Sequence, residues 1–313
     1  MAASKQAIEV VSVGDVAADL IISLRNYPAR GGDAEVPSIR REPGGSAANF
    51  AVGVSRLGMR SGFLGKIGSD PTGKYLYEDL NREGVDISHL RVTDVETATV
   101  VVLVERSGRR TMLSFRGAST KLTASEIPQD YVSAARWLHV SGYALIHRPQ
   151  RDAALRAMTY AEEANIKTSL DPSPHIHLAK PDVVTRALKL THVLFPNYRE
   201  AQYLSGRSNI REAGKRLLKR GPSLVSMKLG RRGCLLMTNH EKLRISAFKA
   251  KTIDTTGAGD AYDAGFVVAQ LRGRSLKESA AFASAVAALK TTKAGARAAL
   301  PRLAEVEKFM RHE

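Results

Sequence analysis

Cysteine occurs once in this chain, at Cys234, so neither an internal disulfide nor a cluster of thiolate metal ligands can form. Long apolar runs are missing as well: none is long enough to span a bilayer as a helix. The segment Met1 to Gln6 carries no signal-peptide core, and the expectation is a cytoplasmic protein without a membrane partner. No HExxH pair is present. His175 and His177 sit in a Pro-rich loop with no thiol nearby, which reads as surface histidines rather than a metal site. Internal repeats, low-complexity tracts and linkers are also lacking. Acidic residues are the scarcer charge, 31 against 47 Lys and Arg, for a net +16. That excess fits an anionic partner or simply a basic, soluble surface. The basic clusters Arg30, Arg40, Arg41 and Arg106, Arg109, Arg110 are short, and no aromatic-interleaved basic stripe accompanies them. A nucleic-acid partner is therefore not expected.

Two familiar nucleotide motifs are incomplete. Gly68 to Lys74 has the GxxxxGK spacing, but Tyr75 stands where a P-loop needs Ser or Thr for Mg²⁺. Gly257-x-Gly259 lacks the third glycine of a dinucleotide fingerprint, since Tyr262 occupies that place, and it comes late in the chain.

What is present is the composition of an ordinary globular protein, 43% hydrophobic and 25% charged over 313 residues. Short β-branched runs alternate with helical patterns. Strands are expected at Ile8 to Gly14, Phe63 to Ile67, Trp137 to Val140, Thr168 to Leu170, Val193 to Phe195 and Leu224 to Leu229. Helices are expected over 45–57, 72–83, 150–164, 198–204, 209–219, 257–271, 276–292 and 304–310. Such alternation predicts an α/β fold, a central mostly parallel sheet flanked by helices on both faces. Two stretches, 19–41 and 97–115, have strand character but no covering helix; the second reads as a hairpin turning at Ser107-Gly108. They are expected to pair as a small antiparallel β lid, with 1–18, 42–96 and 116–313 forming the nucleotide-binding core. A further hairpin is expected over 234–248, turning at Asn239.

The most informative stretch is Asp254-Thr-Thr-Gly-Ala-Gly-Asp260, which opens a helix. The first N–H groups of a helix have no intrahelical partner and its dipole is positive there, so Gly257, Ala258 and Gly259 suit an anion. With Asp260 beside that anion, the pattern suggests phosphoryl transfer, the acid serving as base toward an attacking hydroxyl. Gly44-Gly45-Ser-Ala-Ala-Asn49 starts another helix; its glycines permit close approach of a ligand and Asn49 suits a polyol, although a helix start alone also wants glycine. Asp15 and Asp19 follow the first strand, where ligands of doubly wound sheets bind, or are solvated loop charges. Asn197 and Glu200 share a helix face and suit a hydrated Mg²⁺ near phosphates, or form a helix cap. Lys228-Leu-Gly230-Arg-Arg-Gly233 beds a nucleotide or is a plain hairpin turn.

Together these pieces resemble the PfkB (ribokinase-like) family of ATP-dependent carbohydrate and nucleoside kinases. The run Gly44 to Gly58 resembles its N-terminal signature and Asp254 to Phe266 its C-terminal one, while Asn197 to Glu200 matches its NxxE element and Leu229 to Gly233 its nucleotide-side turn. The resemblance runs from Val13 to Pro301. It implies an ATP-dependent phosphotransferase with a sugar or nucleoside acceptor. Asp260 would be the base, and the amides of Gly257, Ala258 and Gly259 the anion hole. Asp19, Gly45 and Asn49 would grip substrate hydroxyls, and Gly44-Gly45 would hinge the lid. Asn197 and Glu200 would organise Mg²⁺ and phosphates, with Lys228, Gly230 and Gly233 on the nucleotide side. The family is often activated by a monovalent cation such as K⁺; Asp254, Thr256 and Gly295 match that region, but Ala299 stands where ribokinases often have Ser. Its lid strands can also pair into a homodimer. Strict ribokinase is disfavoured: Ser46 replaces the lysine of Gly-Gly-Lys, Ala17-Ala18-Asp19 replaces Asn-x-Asp, and Asp171-Pro-Ser-Pro-His175 replaces the Asp-x-Asn-x-Arg of many fructokinase relatives. Ser46 and Tyr143 suit other sugar kinases and nucleoside kinases alike. Arg30, Arg40 and Arg116 either meet an anionic substrate or are surface arginines.

Overall fold

Val10–Val13 is β-branched except for one serine and fully buried, and it forms strand β1 of the computed structural model, next to the edge of the main sheet. Residues 7–311 are described, so Met1 to Gln6 lie outside the description. The other strands are β2 (Ala17–Leu24), β3 (Ser38–Gly44), β4 (Ser61–Leu64), β5 (Lys66–Gly68), β6 (Arg91–Thr93), β7 (Thr99–Glu105), β8 (Arg110–Phe115), β9 (Trp137–Ser141), β10 (Lys167–Asp171), β11 (Val193–Leu194), β12 (Leu224–Lys228), β13 (Cys234–Met237) and β14 (Lys242–Ile245). The helices are α1 (Ser46–Arg56), α2 (Pro71–Arg82), α3 (Gln129–Ser133), α4 (Gln150–Glu163), α5 (Pro181–Lys189), α6 (Tyr198–Ser205), α7 (Ile210–Leu218), α8 (Ala258–Leu271), α9 (Leu276–Thr291) and α10 (Leu303–Arg311).

The main sheet has eight strands in the order β14-β13-β12-β11-β10-β9-β1-β4. From β4 to β12 every pair is parallel, and the hairpin β13–β14 closes one edge antiparallel. Alternate side chains feed two cores. Val10, Phe63 and Trp137 face a layer built from α1, α2, α8, α9 and α10. Val11, Val13, Leu64 and Leu138 face α3 to α7. The chain moves from β1 outward to β4 and then returns to β9 on β1's other side, so the strand order reverses there. Ligand crevices form at the carboxyl ends of strands around such a reversal.

The structure departs from the sequence reading in several places, among them the unforeseen helix α3 and strand β6. The strand expected over 63–67 breaks at Gly65, and β5 leaves the main sheet to pair with β6. Helix α5 was not foreseen; it starts at Pro181 and buries Val183, Val184, Ala187 and Leu188, an i, i+4 pattern hidden behind a proline-rich approach. The lid is not antiparallel throughout. Its order is β3-β2-β7-β8, and the central pair β2/β7 runs parallel. Parallel pairing needs a long crossover, which the chain makes by passing through the core between Leu24 and Thr99. Lid strands also run further than expected, β2 beginning at Ala17 and β3 reaching Gly44.

Candidate active site

Asp260 lies in the first turn of α8, whose N-cap Gly257 adopts the left-handed conformation, φ 74°. Any larger residue at 257 would carry a Cβ 2.9 Å from the carbonyl oxygen of Ala296 as well as the backbone strain. Glycine therefore fixes how the helix start opens into the cavity. The Ser46 hydroxyl donates to one oxygen of Asp260 at 2.8 Å, and Asn49 Nδ2 donates to the other at 2.9 Å. The Gly44 to Asn49 and Asp254 to Asp260 motifs thus meet at one carboxylate. Burial pushes the Asp260 carboxyl up to about 7, helped by the charge of Asp171 and opposed by Asn49 and Ser46. A group poised near neutral pH suits proton abstraction.

The predicted anion hole is partly spoken for. The Ala258 N–H is turned to the Thr255 carbonyl at 3.2 Å, so in this conformation it serves the turn. Gly259 and Asp260 follow it as the next first-turn amides, which a helix leaves without an intrahelical acceptor.

These groups line a cavity of about 1210 Å³ between the lid and the carboxyl ends of the main sheet. Asp15, Asp19, Gly45 and Asn49 line it beside the start of α8, and Gly230 and Gly233 line it as well. The Asp19 carboxyl is pushed up to about 7, mainly by burial, with Arg297 opposing and Glu42 adding to the rise. Asp15 accepts from the Ser46 N–H at 3.1 Å and lies 3.6 Å from the Arg116 guanidinium. Arg116 in turn rests 3.8 Å over the Tyr143 ring. Of the three arginines weighed for an anionic substrate, only Arg116 lines the cavity; Arg30 is exposed, and Arg40 lies by Glu42 with its side chain mostly in solvent.

Gly44 does not line the cavity. It backs Asp19, whose carboxylate would sit 2.6 Å from an added Cβ, and its carbonyl accepts from Arg297. Asp254 also lies outside the cavity wall, behind the turn that leads to Gly257. Asn197 and Glu200 form the helix cap that the sequence left open: Asn197 Oδ1 accepts from the Glu200 N–H at 3.0 Å, and the Glu200 carboxylate accepts from the Asn197 N–H at 2.8 Å. Both still face the cavity. Burial pushes the Glu200 carboxyl up to about 7, and the charge of Asp171 adds to it.

Lys228 is not free to meet a phosphate in this conformation. Its ammonium donates to Asp171 at 2.9 Å and to both oxygens of Asp263 at 3.1 Å. Burial works against the Lys228 charge, but Asp171 and Asp263 outweigh it and push its pKa up. Burial likewise opposes the Asp171 charge, yet Lys228 holds that carboxyl below its usual range, while buried Asp263 is pushed well up. Sequence reasoning missed Asp263 and gave Asp171 no role, because an ion pair across 57 or 35 residues leaves no local pattern. It also missed Arg297. That side chain is 1% exposed and holds Asn49 Oδ1 at 3.2 Å, the Gly44 carbonyl at 2.6 Å and Asp79 at 2.6 Å. Arg297 thereby ties the substrate-end loop to the segment following α9.

Asp70 caps α2 through the Gly73 N–H at 2.8 Å, and Lys74 points into solvent. His175 packs edge-on against Tyr143, and no group of three or more His, Cys, Asp or Glu suited to a metal occurs among the described residues.

Known proteins settle what this arrangement belongs to. The profile of the pfkB family of carbohydrate kinases matches residues 7–303. The chain belongs to that family. A nucleoside kinase of Methanothermobacter thermautotrophicus is 30% identical over 96% of this chain and 94% of its own length. A fructokinase of Salmonella typhimurium is 33% identical over 83% of this chain and 89% of its own. Among solved structures, an Arabidopsis thaliana ribokinase complexed with ribose and ATP superposes with a TM-score of 0.85 at 25% identity, covering 98% of this chain and 99% of that one. The fold is ribokinase-like, and the protein is a phosphotransferase, a PfkB-type carbohydrate kinase. No helix among the described residues is long and apolar enough to cross a membrane.

Proposed function

We propose that this kinase transfers the γ-phosphoryl group of ATP to a hydroxyl of a small sugar, with Asp260 as the general base. The observation that carries the reading is the Asp260 carboxylate, buried at the start of α8 and held between Ser46 and Asn49. The acceptor hydroxyl gives its proton to Asp260 as its oxygen attacks the γ-phosphorus. The bond from that phosphorus to the bridging oxygen breaks, and ADP leaves. Charge on the transferred group is met by the first-turn amides of α8, led by Gly257 and Gly259. Asp19, Asn49 and the Gly45 backbone hold the sugar, Asp19 as an acid half-protonated near neutral pH and so able to donate or accept. Lid closure keeps water from competing for the phosphoryl group.

Asp171, Asn197 and Glu200 offer oxygen ligands on the cavity wall, and Glu200 is short of compensating positive charge. That donor set fits a hydrated Mg²⁺, with Glu200 acting through water. When bound, Mg²⁺ would neutralise phosphate charge. The Gly230 to Gly233 turn would bed the nucleotide. Exposed Ile39, Leu113 and Phe115 on the lid suit a homodimer formed lid to lid. A cytoplasmic location accords with a single, buried free cysteine.

An ADP-release assay with Mg²⁺-ATP against pentoses, hexoses, sugar phosphates and nucleosides tests the substrate class. One sugar consumed well ahead of every nucleoside is the expected result. Preference for adenosine, inosine or cytidine would replace this reading with a nucleoside kinase, an activity named for one of the relatives.

A further inference from the structure

Lys290 lies one residue before the end of α9, and its side chain is wholly buried. Its ammonium donates to the main-chain carbonyl of Asp254 at 2.9 Å and lies 3.8 Å from Asp254 Oδ2. Asp254 begins the turn that leads to the start of α8 at the cavity. The segments 253–257 and 290–296 are laced together around this contact. The N–H groups of Ile253 and Asp254 both donate to the Thr291 carbonyl, at 2.7 and 3.1 Å. Gly257 packs against Ala296 closely enough to forbid a Cβ. The lysine thus stands behind the turn, on the side away from the cavity.

The Asp254 carboxylate is already engaged by resident donors. Oδ1 accepts from the Thr256 N–H at 2.9 Å, the Thr256 hydroxyl at 2.6 Å and Arg110 at 3.0 Å. Oδ2 accepts from the Gly295 N–H at 3.0 Å. Three donors crowd Oδ1 and one reaches Oδ2, while Lys290 engages the carbonyl of the same residue and stands 3.8 Å from Oδ2. A monovalent cation lodged here would meet two resident cations, Arg110 on Oδ1 and Lys290 on the carbonyl and near Oδ2. The residues present do not fit K⁺.

We propose that Lys290 is a positioning residue that supplies, as a tethered ammonium, the fixed positive charge at the back of the phosphoryl-binding turn, so that this kinase neither needs nor binds a monovalent cation there. The charge acts through the Asp254 carbonyl, holding the peptide dipoles of the 254–257 turn aligned toward the cavity. Burial draws the Lys290 pKa below that of an ordinary lysine, and Asp254 acts against that. The proposal rests on the reading of 257–259 as the phosphoryl site.

The test is Mg²⁺-ATP binding by calorimetry in KCl and in tetramethylammonium chloride at matched ionic strength, with thallium(I) NMR as a direct readout of cation binding. For the wild type the two affinities should agree within about twofold and no saturable thallium site should appear. Lys290→Ala should bind Mg²⁺-ATP about tenfold more weakly in tetramethylammonium, recover most of that loss in KCl or NH₄Cl, and acquire a thallium site. Rescue by a free cation is what a merely structural lysine would not give. Tighter wild-type binding in KCl by about tenfold, or a saturable wild-type thallium site, overturns the proposal. A Lys290→Ala protein equally weak in both salts overturns it too. If that variant does not fold, the two wild-type measurements still decide. A wild type that binds no Mg²⁺-ATP in either salt refutes the phosphoryl-site reading itself, whereas a K⁺ requirement refutes the role of the lysine alone.

Discussion

Asp260 is where residue-scale physics and function meet. As a base it works only when ionised, and burial holds its carboxyl up to about 7. Turnover under kcat/KM conditions should therefore be full above that pH and fall about tenfold per unit below it. A pH–rate profile flat down to the ordinary carboxylate range would contradict this. Asn49 and Ser46 each donate to the ionised form and lower the pKa. Ser46→Ala should accordingly shift the acid limb of the same profile upward, and a downward shift would show that the hydroxyl does something else. The proposed catalytic aspartate stood out in the sequence because glycine, glycine and aspartate within a few residues of a helix start carry their own physical reason. Its partners Ser46 and Asn49 were legible as a motif, but their bond to Asp260 was not. They lie 214 and 211 residues away, and only the packing of α1 against α8 brings them together.

At the scale of elements, the site is a junction of helix starts and strand ends held by buried charge. Arg297 is the clearest case, since no motif surrounds it and its partners lie 218 to 253 residues distant. Replacing it with Met leaves Asp79 buried without its guanidinium and should cost about 3–5 kcal/mol. Denaturant unfolding monitored by circular dichroism checks the figure; a loss below about 1 kcal/mol would mean that Asp79 is readily solvated. Gly257→Ala combines a left-handed backbone with a clash against Ala296. It should lose about 1–3 kcal/mol of stability together with most activity. Strand and helix alternation in the sequence located the core elements well, because apolar period is a local property. The direction of β2 against β7 was not legible: it depends on how the chain crosses the core between them. Neither was the break at Gly65, where a side chain would strike the ring of Phe63.

On the scale of the whole molecule, the lid and the core meet through Arg110, which reaches from β8 to Asp254 at 3.0 Å and to the Thr255 hydroxyl at 3.1 Å. The pair is partly exposed, so its stabilising share is about 0.2–1 kcal/mol. Arg110→Ala should raise the acceptor KM a few-fold with little change in melting temperature, by loosening lid closure alone. An unchanged KM would mean that the lid closes without this contact. The large positive charge of the chain is not concentrated in the site, where the acids Asp15, Asp19, Asp171, Glu200 and Asp260 are matched in number by Arg110, Arg116, Lys228, Arg231 and Lys249. The central claim is that Asp260 takes the proton from the acceptor hydroxyl while the start of α8 holds the phosphoryl group. Its most direct test is Asp260→Asn, measured for ADP release with the best acceptor and, in the same preparation, for Mg²⁺-ATP affinity. The account predicts a fall in kcat of about 10²–10⁴ with ATP affinity retained; full turnover in the variant would contradict it.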